Sequence, residues 1–174
     1  MKKTLSGLLV GLLSWLAIPT AAQAQYNNWA VGFRLGEPSG INVRKYFGDS
    51  RAFDVNIGTF GGLYGTRREY RRGEYRSVGV SVQGHYLTHR RLTANETLHG
   101  YYGFGGQINR RRYYPDAGTS IPETSLGGSA VAGAEYFVPN KPFSIFLEMG
   151  LYAEVLPVPL FFNLQSGLGL RFNL

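Results

Sequence analysis

The sequence predicts an all-β chain folded as an eight-stranded antiparallel up-and-down barrel, and three observations carry that prediction. Apolar residues alternate with polar or small ones, at a period of two, in successive segments from Trp29 to Leu174. No stretch after residue 24 stays apolar for the roughly 20 residues that a spanning helix needs. Glycine supplies 24 of the 174 residues and aromatics 14 %, a composition rich in turn-formers, small residues and strand-favouring rings.

The first element is not a strand. Lys2 and Lys3 precede an apolar run from Leu8 to Ile18, and Pro19 then leads to Ala21-Ala22-Gln23-Ala24. A basic start, a short apolar stretch and an Ala-x-Ala site predict a secretory signal peptide over 1–24. The run is 11 residues, too short for a membrane anchor. Export followed by cleavage would leave residues 25–174 as one barrel domain.

Strands follow in order. The first puts Trp29, Val31, Phe33 and Leu35 on one face and Ala30, Gly32, Arg34 and Gly36 on the other. Past Glu37-Pro38-Ser39-Gly40, the second sets Ile41, Val43 and Phe47 against Asn42, Arg44 and Tyr46; Lys45 is the polar exception on the greasy side and suits a membrane interface. Gly48-Asp49-Ser50 turns into a third, Phe53, Val55 and Ile57 against Asp54, Asn56 and Gly58. A polar segment, 61–76, precedes a fourth strand with Val78, Val80, Val82 and Tyr86 opposite Gly79, Ser81, Gln83 and His85. After a connection over 88–97, the fifth sets Leu98, Tyr102, Phe104 and Ile108 against His99, Tyr101, Gly103, Gly105 and Gln107. A second polar segment spans 110–125. The sixth strand, 128–137, is dominated by Gly and Ala, with Glu135 inward. Past Pro139 and Pro142, the seventh alternates Phe143, Ile145, Leu147, Met149 and Leu151 with Ser144, Phe146, Glu148, Gly150 and Tyr152. The eighth alternates Phe162, Leu164, Leu168, Leu170, Phe172 and Leu174 with Asn163, Gln165, Gly167, Gly169, Arg171 and Asn173.

Strands of about nine to eleven residues suit a tilted bilayer crossing, and an even count returns both termini to one side. With the N-terminus periplasmic, the long polar segments 61–76 and 110–125 face outward, as the long loops of such barrels do. The narrow interior of eight strands takes the small and ionic face, and the face of Phe, Leu, Val and Tyr goes to lipid. The expected location is therefore the bacterial outer membrane.

Composition narrows the alternatives. Cysteine is absent, which excludes a disulfide framework and a lipid-modified N-terminal cysteine. The formal charge is +7, or +5 without Lys2 and Lys3, with 14 Arg. An exported chain whose basic runs sit in two short segments points to anionic lipid or lipopolysaccharide and not to nucleic acid.

The chain over residues 29 to 174 resembles the OmpA/OmpX class of small outer-membrane barrels. The stretch from Gly32-Phe33-Arg34-Leu35-Gly36-Glu37-Pro38 through Ser39-Gly40-Ile41-Asn42-Val43-Arg44-Lys45-Tyr46-Phe47 is similar to the opening hairpin of a group of mostly uncharacterised members. The last strand resembles the signal read by the barrel assembly machinery, with Leu168, Leu170, Phe172 and Leu174 in alternation, although the class usually ends in an aromatic. The resemblance implies a fold and a location; activity varies within the class.

Three constellations are candidates for function. Inward Arg34, Arg44 and Arg171 face Asp54, Glu135, Glu148 and Glu154, and predict a cross-lumen salt-bridge network, because an unpaired ion there costs several kcal/mol. Its bland role is a structural plug, its functional one an ion path. His85 and His99, expected near each other, with Ser81 on the same face, are the only candidates for a Ser-His-acid enzyme. The His-x-Ser-Asn pattern of lipid A deacylases is missing, and no catalytic residue is assigned. Third, Arg67, Arg68, Arg71, Arg72 and Arg76, and then Arg110, Arg111 and Arg112, interleave with Tyr64, Tyr70, Tyr75, Tyr113 and Tyr114, which suits lipopolysaccharide phosphates. Neither a cofactor nor a metal is expected: His89 falls in a polar turn, and no ligand spacing recurs.

The reading is a monomeric outer-membrane barrel with a structural or surface-interaction role. Its rivals are a lipid-modifying barrel enzyme and a soluble lipocalin-like carrier with an apolar cavity; a diffusion pore is disfavoured by the filled lumen.

Overall fold

The computed structural model describes residues 29–48, 50–60, 67–94 and 96–174. The expected signal peptide, Asp49, residues 61–66 with Tyr64, and Asn95 lie outside the described residues, as do the side chains of Arg67, Arg68, Arg76 and Val78.

The strands are β1 (Trp29–Gly36), β2 (Ser39–Phe47), β3 (Arg51–Phe60), β4 (Arg67–Tyr70), β5 (Gly73–Arg91), β6 (Leu98–Tyr114), β7 (Ile121–Phe137), β8 (Phe143–Leu156) and β9 (Phe161–Asn173). They run β3-β2-β1-β9-β8-β7-β6-β5, all antiparallel, and β5 pairs back onto β3 from Arg51↔Thr88 to Phe60↔Gly79. That pairing closes a barrel of eight. The short β4 lies outside the closed wall, hairpinned to the first residues of β5 through Tyr70↔Gly73 to Arg67↔Arg76.

The expected faces are in place. Phe104 is 72 % exposed, Met149 69 % and Leu164 77 %, whereas Arg44, Arg111 and Arg171 are among the largest fully buried side chains. A water-soluble globule has the reverse arrangement. The lumen is a packed ionic and amide interior, so the lipocalin-like alternative, which needs an apolar cavity, is set aside.

Strand length departs from expectation. The segments 61–76 and 110–125 are not plain loops: β5 begins at Gly73, β6 runs to Tyr114 and β7 starts at Ile121, leaving only 115–120 as the turn between β6 and β7. At about 3.3 Å per residue, the 17 residues of β6 exceed a tilted crossing by some 20 Å. The physical reason lies in the two faces. Past Ile108 the outward positions become Arg110 and Arg112, which ends the greasy stripe, while Arg111 and Tyr113 continue the buried inward stripe and the backbone ladder with it. A register shift between Arg76 and Val80, where β5 gains two residues on β6, marks the same level.

The opposite connection is also shorter than the expected 88–97. β5 continues to Arg91 and β6 starts at Leu98. His89 therefore sits on a strand, paired with Tyr101 and buried, and not in a turn.

Candidate functional site

The lumen is built in tiers from the rim that carries the termini. Nearest that rim, β2, β3, β7 and β9 send Arg44, Asp54, Glu135 and Arg171 to one centre. Arg44 Nε donates to Asp54 at 2.7 Å and Arg44 Nη1 to Glu135 at 2.8 Å. Arg171 reaches both carboxylates, Glu135 at 3.1 Å and Asp54 at 3.5 Å, and donates from Nε to Asn42 Oδ1 at 2.6 Å. Two cations thus share two anions. Ser144 Oγ donates to Glu135 at 2.6 Å. Aromatic faces complete the shell: the Arg171 guanidinium lies 3.5 Å from the Phe146 ring centre and that of Arg44 4.4 Å from Tyr101.

One step further along the axis, Arg34 Nε donates to Glu148 at 2.6 Å, and Tyr101 donates to the other oxygen of Glu148 at 2.7 Å. Glycine makes room for this pair. A Cβ on Gly167 would stand 2.3 Å from Arg34 Nε, and one on Gly169 would stand 2.4 Å from the Phe146 ring. The six residues Arg34, Arg44, Asp54, Glu135, Glu148 and Arg171 therefore meet in the lumen, as two linked ionic groups.

Midway lies a neutral belt. Gln83 Nε2 donates to both Gln107 Oε1 and Gln165 Oε1 at 3.0 Å, and Gln165 Nε2 donates to Gln107 Oε1 at 3.0 Å. Gln107 passes on to Asn109 at 2.7 Å, which also accepts from Ser81 at 2.8 Å. Strand alternation places these residues inward; nothing in residue type alone announces that three amides will meet.

Of the far tier, the sequence shows Glu154 as inward but not its partner, which is Arg111 and none of the three expected arginines. Arg111 points into the barrel, 1 % exposed, and not toward lipopolysaccharide. Its guanidinium is clamped 4.2 Å from the Tyr70 ring centre and 4.4 Å from that of Tyr75, and it donates to both oxygens of Glu154 at 3.1 and 2.8 Å. Tyr70 also donates to Glu154, at 2.5 Å, and Phe60, Tyr113, Tyr152 and Phe161 pack around it. Tyr70, Tyr75 and Tyr113 are thus buried plug residues and not headgroup contacts. The signal was available: 107, 109, 111 and 113 share one parity.

The other cations of this rim stay outside. Arg110 and Arg112 face outward and are exposed, two positions apart on β6 just beyond Ile108. Arg71 and Arg72 sit in the β4–β5 turn, and Arg71 lies 3.4 Å from Glu123. Arg67 and Arg68 are on β4. In the 115–120 turn, Asp116 accepts backbone N–H bonds from Gly118 and Thr119, which hold its carboxyl below the usual range.

The histidines do not form the expected pair. His85 pairs with Gly105 and His99 with Arg91, so six ladder positions separate them, about 20 Å along the strand. Ser81 bonds Asn109, while His85 Nε2 lies 2.8 Å from Ser129 Oγ. Both members of that contact are buried in the lumen. Among the described residues no cluster of His, Asp and Glu could hold a metal.

No family model and no curated protein matches the sequence. Solved structures do. The chain is similar to the N-terminal β-barrel domain of Pseudomonas aeruginosa OprF, with a TM-score of 0.63 and 12 % identity over 85 % of this chain and 98 % of that one. It is similar to Neisserial surface protein A, with a TM-score of 0.52 and 14 % identity over 84 % and 94 %. The attachment invasion locus protein Ail of Yersinia pestis matches with a TM-score of 0.47 and 14 % identity over 83 % and 92 %. The fold is that of small eight-stranded outer-membrane barrels.

Proposed function

We propose that this barrel is a monomeric integral protein of the bacterial outer membrane with a structural or surface-interaction role, its lumen closed and its far rim bound to lipopolysaccharide phosphates. The single observation that carries the lipid contact is the outward pair Arg110 and Arg112, placed directly past the last apolar outward residue of β6, Ile108. That is where hydrocarbon gives way to headgroups, and guanidinium forks suit phosphate there. Arg71 and Arg72, in the β4–β5 turn, extend the basic rim; Arg67 and Arg68 are proposed as contacts from their sequence alone. The extended β5, β6 and β7 support taking this rim as the outer one, since long extensions face outward in such barrels. Export would run through the 1–24 leader, and insertion through the assembly machinery reading Leu168, Leu170, Phe172 and Leu174. The reading assigns no chemistry to the protein.

The test is to reconstitute the protein with lipopolysaccharide and to count lipid A phosphate retained per protein across a salt series. Arg110→Glu with Arg112→Glu is expected to lower retention most at low salt. Retention unchanged at every salt concentration would refute the contact.

A further inference from the structure

The rim that carries the termini has its own cations on the lipid-facing wall, and the lipopolysaccharide reading does not use them. Lys45 on β2, Arg51 on β3 and Arg90 on β5 lie on three neighbouring strands. The pairings Lys45↔Phe53, Phe47↔Arg51 and Arg51↔Thr88 set them on the outward face, with Arg90 two residues past Thr88. Two of them are seated on outward aromatic rings. Lys45 Nζ is 4.9 Å from the Trp29 ring centre and 5.4 Å from that of Phe47, and the Arg51 guanidinium is 5.8 Å from Tyr86. Arg51 Nη1 is steadied by Thr88 Oγ1 at 2.7 Å. The rings themselves face lipid: Trp29 is 46 % exposed and Tyr86 44 %.

Among the described residues none of the three is ion-paired with a carboxylate, whereas the adjacent Arg91 is bridged to Glu96. A lipid-facing trio of cations at the depth of an aromatic belt complements one kind of neighbour, a phosphate at the headgroup level. Lipopolysaccharide would occupy the other leaflet.

We propose that Lys45, Arg51 and Arg90 form a binding surface for an anionic glycerophospholipid, of the phosphatidylglycerol class, in the leaflet on the termini side. The proposal rests on the membrane placement given above, yet reads the opposite rim. Aromatic stacking pre-positions Lys45 and Arg51, so a phosphate meets ordered donors and not freely rotating ones.

Trp29 gives a native reporter, because it lies under Lys45. The full chain carrying Trp15→Phe, so that Trp29 is the sole tryptophan, is placed in vesicles of phosphatidylcholine mixed with brominated phosphatidylglycerol, and then in the converse mixture with brominated phosphatidylcholine. The ratio of quenching measures the preference for anionic lipid at this rim. Expected is a preference of about fivefold for phosphatidylglycerol, falling toward unity in Lys45→Gln/Arg51→Gln/Arg90→Gln and at high salt. The far-rim variant Arg110→Glu/Arg112→Glu should keep it, which separates failure of this surface from failure of the lipopolysaccharide contact. If the triple variant does not fold, as judged by mobility before and after boiling in detergent, Lys45→Gln and Arg51→Gln are measured singly and should each lower the preference. Equal quenching by the two lipids, or a preference that survives the substitutions, overturns the proposal.

Discussion

Two buried guanidinium centres in the same barrel combine carboxylates and aromatic rings in different proportion. Around Glu135, Arg44 and Arg171 are matched by two carboxylates drawn from β3 and β7, so charge is balanced ion by ion. At the far rim, Arg111 has Glu154 at 2.8 Å and Glu123 only at 3.5 Å, and its planar faces rest on tyrosines. The first centre shares two carboxylates between two arginines, each with one ring against it; the second sets one arginine on one carboxylate and among several rings. A guanidinium can be buried either way, because it is planar, weakly hydrated and always charged.

The sharpest way to break the comparison is Glu135→Ala. Both Arg44 and Arg171 lose a partner and are left to share Asp54, and a cost of about 3–5 kcal/mol is expected in reversible urea unfolding followed by gel mobility. A loss under about 1 kcal/mol would mean that the two arginines are not held by that carboxylate. Arg111→Met should cost less, about 2 kcal/mol, because the rings keep an apolar neighbour and Tyr70 still donates to Glu154. Adding Glu154→Gln should then return most of that loss, since the remaining carboxylate charge is removed with it. If the double variant stays as unstable as Arg111→Met alone, the loss lies in the contacts of the guanidinium with the rings and not in the orphaned carboxylate. The smallest effect belongs to the exposed pair: Arg91→Gln breaks the bridge to Glu96 and should change stability by about 0.5 kcal/mol or less.

The same contrast explains what could be read from the sequence. Arg34, Arg44, Asp54, Glu148 and Arg171 stand out because each falls on the small or polar face of a strand of clear alternation, whereas Glu135 sits in a strand of Gly and Ala and is read as inward from Tyr136 beside it. Arg111 does not stand out, since Arg110-Arg111-Arg112 reads as a basic run and a hydropathy argument stops where the greasy stripe stops. The lipid-facing stripe ends at Ile108, but pairing of the backbone is indifferent to which solvent the outward side chain meets, so the strand goes on. His89 was misplaced for the same reason at the other end. Its neighbours Thr88 and Arg90 are polar because that rim leaves the hydrocarbon, while His89 itself stacks on Tyr101 at 5.2 Å between ring centres. The distance between His85 and His99 could be settled only by register, which depends on how long the ladder is.

The three glutamines at mid-height have an electrical consequence. An ion moving along the axis would leave one set of fixed charges and enter a plane of dipoles already satisfied by one another, with nothing to replace its hydration. The belt is therefore expected to act as an insulating washer between two charged compartments, and a recording of the protein in a planar bilayer should show a closed conductance.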